Sequence, residues 1–272
     1  MNRTTFCILM IAFCLFLNES SVCAGTLTIR SQMSIQVFRS HIKVKVTVSN
    51  HGNEPAYKVG VLLQVFDETW TSNFVDTLSI NATETFEFKP FLSKSQKGYY
   101  PITTEVIFHD ANRYPFSSLS CSTFFVKQDT KSMIKGTAND ISMNHTGNLL
   151  LNVTNPEDKS KKVQVTLVMP NAFVANNPRI EPKLEKGQKS LVFPINNRKA
   201  LPGTQHDYFF LLEYDQNGMH YSSFAKGKIK INDLKNWFSK TRWYWLAGLG
   251  AWIFLWCLYC LTKKLKNRLH TP

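Results

Sequence analysis

Two His-Asp neighbours, His109-Asp110 and His206-Asp207, are the residues of this chain best suited by type to acid-base or metal chemistry. Imidazole and carboxylate act as a proton relay or a ligand set only when they converge on one point. Successive strand residues point to opposite faces, so a His-Asp pair inside a strand diverges. Both pairs fall at the ends of apolar alternating runs, where polar residues are ordinary. Asp215-Gln216-Asn217-Gly218 opens like a calcium loop, but the closing Glu is missing and a hairpin turn accounts for all four residues. No H-E-x-x-H, G-x-S-x-G or phosphate-cradling glycine loop occurs, and no C-x-x-C precedes the C-terminal apolar run. The sequence therefore predicts no catalytic residue, no metal ligand, no cofactor and no enzymatic activity.

Charge points away from nucleic acid once it is divided along the chain. Of the formal +13, residues 25–128 carry +2, residues 129–232 carry +5, the flank 233–242 carries +2 and the tail from Lys263 onward carries +4. The last two groups border an apolar run, where each cation gains about 1 kcal/mol from anionic headgroups. Lys226, Lys228 and Lys230 alternate, so on a strand they share one face. That strip is either an edge guarded against strand addition or a basic contact for an anionic polymer, lipid or glycan. Lys183, Lys186 and Lys189, with Glu181 and Glu185 among them, read as solvent-facing loop charges.

The elements that must position these residues repeat. Val44 to Asn50 aligns with Leu149 to Asn155, Phe86 and Phe88 with Leu191 and Phe193, Phe116-Ser117-Ser118 with Tyr221-Ser222-Ser223, all at an offset of 105 residues. One constant offset along the whole region predicts a duplication with its boundary near Lys127 to Thr130. Within the first copy, short β-branched or aromatic segments separated by turn residues predict strands at Ile35 to Phe38, Ile42 to Ser49, Lys58 to Phe66, Asp76 to Ile80, Thr85 to Phe91, Ile102 to Phe108 and Tyr114 to Val126. Seven strands suit an Ig-like plan. Asn217-Gly218 predicts a type I′ hairpin, and Ala111-Asn112 marks the equivalent turn in the first copy. The fold class is thus all-β: two tandem Ig-like antiparallel β-sandwich domains, 25–128 and 129–232, followed by one C-terminal transmembrane helix.

The stretch Val48-Ser49-Asn50-His51-Gly52-Asn53-Glu54-Pro55-Ala56-Tyr57-Lys58-Val59 resembles the CARDB-type, adhesion-related Ig-like domains of bacteria and archaea. The resemblance implies a non-catalytic binding, adhesion or spacer module of the cell envelope. The second copy departs from the pattern, since Asn155-Pro156-Glu157-Asp158-Lys159 has no glycine and Lys161 stands where the alanine would be.

Both termini carry topology signals. Arg3, the apolar Phe6 to Leu17 and Val22-Cys23-Ala24 predict a signal peptide over 1–24, with the mature chain starting at Gly25. A lipidated Cys23 is the rival reading, though Ser20 and Val22 suit a lipoprotein box poorly. After a juxtamembrane linker over 233–242, the uncharged residues Trp243 to Leu261 would make a helix of about 28 Å, the thickness of a bilayer core. With Thr262 they form the expected transmembrane segment 243–262. Lys263, Lys264, Lys266 and Arg268 then place the ten-residue tail 263–272 in the cytoplasm and the domains outside, periplasmic or extracellular. Such a tail is too short for a folded signalling module.

Trp252 and Trp256 share a helical face, and Ala247 and Ala251 form a small-xxx-small pair on the neighbouring surface. These four residues are the expected helix-packing face, for a second copy or another membrane subunit. Cys257 and Cys260 suit apolar packing, with lipidation or metal binding as rivals. Only Cys121 remains in the region 25–232, so the domains contain no internal disulfide. That absence favours a bacterial or archaeal envelope or the endoplasmic reticulum, whereas the N-x-[ST] sequons at Asn81, Asn144 and Asn152 keep a eukaryotic secretory membrane open. The expected function is a non-catalytic single-pass membrane protein that presents its domains for protein binding, adhesion or scaffolding. The alternative is an accessory subunit of an export, polymer-assembly or translocon-like complex.

Overall fold

The computed structural model describes residues 26–92, 96–233 and 237–269; within the last stretch the side chains of 237–240, 242, 243, 246, 253, 257, 261 and 264–269 lie outside the described ones. The expected leader over 1–24, its cleavage site and the end of the basic tail also fall outside. Residues Gly25–Asp233 form one compact unit, built almost wholly of strands. Its first half contains β1 (Ile29–Val37), β2 (Ile42–Asn50), β3 (Ala56–Val65), β4 (Glu68–Thr71), β5 (Val75–Leu78), β6 (Thr83–Phe88), β7 (Lys97–His109) and β8 (Pro115–Val126). Its second half contains β9 (Lys135–Ala138), β10 (Ile141–Met143), β11 (Thr146–Asn155), β12 (Lys161–Lys162), β13 (Gln164–Val168), β14 (Phe173–Ala175), β15 (Arg179–Ile180), β16 (Lys183–Leu184), β17 (Gly187–Asn197), β18 (Gln205–Gln216) and β19 (Met219–Ile231).

Alternation creates two separate cores. In β2 the side chains of Val44, Val46 and Val48 are fully buried and join Val61, Leu63, Ile102 and Val106 from β3 and β7. In β11, Leu149, Leu151 and Val153 join Val165, Phe210, Leu212 and Ile229 in the same way. Burial of each such side chain contributes about 1.5–3 kcal/mol, so neither core needs a disulfide. The first core lies between the sheet β1-β2-β6 and strands β3, β7 and β8; the second lies between β14-β17-β11-β9 and β13, β18 and β19.

The closing residues of β2 and β11 behave alike. Asn50 donates through Nδ2 to the Glu54 and Leu78 carbonyls at 2.8 and 3.2 Å and accepts from the Gly52 N–H at 2.9 Å. Asn155 donates to the Lys159 and Leu184 carbonyls at 3.1 and 3.2 Å and accepts from the Glu157 N–H at 3.2 Å. Both amides are buried, and each ties the end of its strand to a strand of another sheet, β5 for Asn50 and β16 for Asn155.

Most expected strands of the first copy are present, with two differences. Strand β1 begins at Ile29 and pairs with β2 along its full length, while Phe38 lies beyond its end. Strand β4 was not anticipated, because the two-residue turn before it is Phe66-Asp67. Both residues adopt positive φ, 52° and 64°, without the Asn or Gly that usually marks such a turn. The Asn217-Gly218 turn has φ of 54° and 71°, as a type I′ hairpin requires.

One helix, α1 (Trp237–Leu269), belongs to a second unit. Its described side chains Tyr244, Trp245, Trp252, Phe254, Leu255 and Trp256 are exposed. Among the described residues no helix is long and apolar enough to cross a membrane; Trp243, Leu246, Ile253, Cys257 and Leu261 of the apolar run have side chains outside that set.

Candidate functional site

The two halves of the compact unit meet along a seam. Strand β19 pairs in parallel with the start of β7, through Met219 with Lys97 and His220 with Gly98, and so joins strands from both halves into one ten-stranded sheet. Gly98 has φ of 132°, and a Cβ there would sit 1.8 Å from the His220 carbonyl oxygen, so this approach requires glycine. Leu119, Phe209 and Leu211 are buried yet belong to neither core. Their side chains lie on the strand faces opposite the two cores, where the halves press together.

A polar cluster occupies one part of the seam. The His220 ring stacks on Tyr100 with centroids 4.5 Å apart, its Nδ1 lies 2.8 Å from Asp215 and its Nε2 lies 3.3 Å from Glu213. Burial pulls the His220 pKa down, but the hydrogen bonds to Glu213 and Asp215 outweigh it and leave the net shift upward. Burial, helped by the charges of Asp215 and Glu213, pushes the Tyr100 phenol up to about 12. Arg179 pairs with Asp67 across the same hollow at 3.3 Å. Cys121 feels the same cluster: burial, then the charge of Glu213, raises its thiol far above the usual range.

Another part of the seam forms a half-open hollow of about 240 Å³ between β7, β8 and the loops before β14 and β18. It is mostly apolar, with Ile107, Phe108, Phe116, Ala172 and Leu201 in its wall. Glu105, His109 and His206 also line it. Glu105 Oε1 and His109 Nδ1 are buried with no hydrogen-bond partner. His206 Nε2 lies 2.9 Å from the Thr204 hydroxyl, and burial, against a weaker pull from Asp207, lowers its pKa. The Tyr114 hydroxyl donates to the Lys199 carbonyl and pins the neighbouring loop.

The structure thus sets the two histidines of the His-Asp neighbours around one hollow and engages both aspartates elsewhere. Asp110 instead accepts from the Tyr114 N–H at 2.7 Å and closes the β7–β8 turn. Asp207 pairs with Lys226 at 2.6 Å. Among the described residues no group of three His, Cys, Asp or Glu side chains is placed to hold a metal ion.

Lys226, Lys228 and Lys230 are exposed and alternate with the buried Ala225, Ile229 and Ile231. Lys226 is committed, since besides Asp207 it covers the Phe209 ring at 5.7 Å. On α1, Ala247 and Ala251 are exposed, and the Trp252 and Trp256 rings lie 5.8 Å apart. The polar cluster was missed in the sequence although one signal for it was present. A two-residue turn at Asn217-Gly218 sets Asp215 directly across from His220.

Neither a protein-family model nor a curated protein matches the chain. Among solved structures, a Salmonella alpha-2-macroglobulin reacted with methylamine is similar at 12% identity and a TM-score of 0.32, over 77% of this chain and 16% of that one. A Porphyromonas gingivalis protein of unknown function is similar at 12% identity and a TM-score of 0.29, over 76% of this chain and 100% of that one. Red sea bream transglutaminase is similar at 11% identity and a TM-score of 0.26, over 75% of this chain and 32% of that one. This chain therefore spans well under a third of the macroglobulin. Similarity at this level establishes neither fold family nor activity.

Proposed function

We propose that this chain is a non-catalytic single-pass membrane protein that presents two tandem Ig-like β-sandwich domains outside the cytoplasm, for protein binding, adhesion or scaffolding. The observation that carries the reading is the exposure of large apolar side chains around α1, among them Tyr244, Leu249, Trp252, Phe254, Leu255 and Leu258. A helix apolar on all sides is stable in lipid or in a protein core and not in water. The CARDB-like resemblance around Asn50, the 105-residue offset and the matched roles of Asn50 and Asn155 support duplication of one module. The seam supports a presenting role, because it makes the two modules one stiff body.

Alkaline extraction of membranes tests the anchor. The full chain should stay with the lipid, and a chain ending at Asp233 should be released. Release of the full chain would refute the reading.

The alternative is an accessory subunit of an export, polymer-assembly or translocon-like complex. It is favoured by the Trp252–Trp256 pair beside the exposed Ala247 and Ala251, a surface suited to close helix approach. Replacing both alanines by leucine should remove a co-purifying membrane partner. A complex that survives the double substitution rules this docking face out.

A further inference from the structure

We propose that the tip of the β1–β2 hairpin, together with the chain that leaves β6 beside it, is a docking surface for an anionic lipid bilayer. The proposal concerns the first half alone and does not depend on what α1 contacts. At this tip the outward side chains lie in tiers. Phe38 stands opposite His41: its N–H donates to the His41 carbonyl at 2.9 Å, and the two rings stack with centroids 4.8 Å apart. His41 in turn pairs with Phe91, so the three make one row across the sheet. In the next row Gln36 opposes Lys43, and the bond from the Ile42 N–H to the Pro90 carbonyl sets Lys43 opposite Lys89. Ile42 and Val44 are fully buried, so His41 and Lys43, which alternate with them, face outward with their cross-strand partners.

Neither tier is what the end of a sheet needs in water. Phe91 is 69% exposed, Phe38 46% and the adjoining Val37 41%. A single exposed apolar residue is ordinary, but three gathered at one turn mark a contact. Lys43 and Lys89 are like charges directly across a strand pair, an arrangement that weakens a sheet. Glu87 is the one acid on the outer face of β1, β2 and β6, and Lys43 and Lys45 already hold it at 3.2 and 3.1 Å. Arg39, in the turn itself, and Lys89 are exposed. No acid among the described residues pairs with either, so the surface calls for negative charge from outside.

The order of the tiers selects a bilayer among anionic partners. A bilayer interface presents an apolar boundary with a layer of phosphates above it, and anionic leaflets draw basic side chains to that layer. Phe38 and Phe91 would enter the boundary, while the long stems of Arg39, Lys43 and Lys89 let their charges stay level with the phosphates. An acidic polysaccharide would satisfy the cations and give the exposed phenyl groups no apolar phase to enter.

The test is capture of fluorescent vesicles by the full chain held in a nanodisc of phosphatidylcholine. Vesicles containing phosphatidylglycerol should be captured about tenfold better than vesicles of phosphatidylcholine alone. Phe38→Ser combined with Phe91→Ser should reduce that capture about tenfold, and so should Arg39→Glu combined with Lys89→Glu. Phe91→Trp should retain it, because Trp suits the interface equally. No capture by the wild type, equal capture of both vesicle types, or undiminished capture by the serine variant would overturn the proposal. The last result would place the contact on cations elsewhere, such as Lys228 and Lys230. A full chain that does not enter the disc would count against the membrane anchor and not against this surface; it is then floated directly with the same two vesicle types.

Discussion

The imidazole of His220 lies nearly parallel to the phenol ring of Tyr100, 12° between planes, and so rests β19, the last strand of the second half, on β7 of the first. Around this stack the seam combines a backbone pairing, an acidic clamp and an apolar layer of Leu119, Phe209 and Leu211. Each part leads to a different measurable property.

The clamp makes stability depend on pH in a fixed direction. The net upward shift of His220 from its ordinary 6.5 means that the folded state binds its proton more tightly than the unfolded chain does. That contribution is complete below the unfolded pKa and is lost as pH rises through the folded one. The thermal midpoint should therefore fall above pH 6.5, and His220→Gln should flatten this limb. His206, shifted downward from 6.5, has the opposite sign: its penalty grows as pH falls below that value. His206→Gln should therefore relieve loss on the acid side. An alkaline limb unchanged in His220→Gln would show that the clamp does not titrate.

Gly98→Ala should open the seam. The new Cβ would meet a backbone oxygen that no side-chain rotation can move, and the backbone conformation itself is strained for any other residue. A loss of at least about 2 kcal/mol is expected, with faster amide exchange at Met219 and His220. A variant as stable as wild type would mean that the halves hold together without this pairing.

Asn50→Ala and Asn155→Ala should each cost about 1–3 kcal/mol, because each leaves one buried carbonyl, that of Leu78 or Leu184, without its side-chain donor. The double variant should be additive to within about 0.5 kcal/mol, since the two amides close different cores. Denaturant titration of the three variants measures this. A strongly non-additive result would argue that the two cores unfold as one packed network.

Cys121 should report on the seam. With its thiol pKa raised by burial and by Glu213, it should resist maleimide at pH 8 while the protein is folded. Leu119→Asp should speed labelling, in a chain whose Cys257 and Cys260 are replaced by serine. Rapid modification of Cys121 in the native protein would place that thiol outside the seam.

The strands and their cores were legible because alternation is a local property. The triplets Val44, Val46, Val48 and Leu149, Leu151, Val153 announce their buried faces without reference to anything distant. The turn at Phe66-Asp67 was not legible, since its positive φ values are imposed on residues that do not advertise them. For the candidate site the limit was different. Asp215 opposite His220 follows from one hairpin turn, whereas the placing of His109 and His206 around one hollow depends on how two separately folded faces press together. No periodicity within either strand encodes that arrangement. The separation of His109 from Asp110 was legible for the converse reason, because neighbours on a strand must point apart.

The parallel pairing of β19 with β7 has a mechanical consequence. Strand β8 runs antiparallel to β7, so β8 and its counterpart β19 run in opposite directions and the halves lie inverted, side by side. Thr26, held by Asn53, and Asp233, two residues beyond β19, therefore share one pole of the body. The turn at Asn217-Gly218 and the start of β7 share the other. A load applied at that far pole against a tether beyond Asp233 runs lengthwise along β18 and β19. Their ladder extends from the Gln205–Lys230 pair to the Gln216–Met219 pair, and its rungs lie across the pull. The rungs are then loaded across their length and are not unzipped one by one.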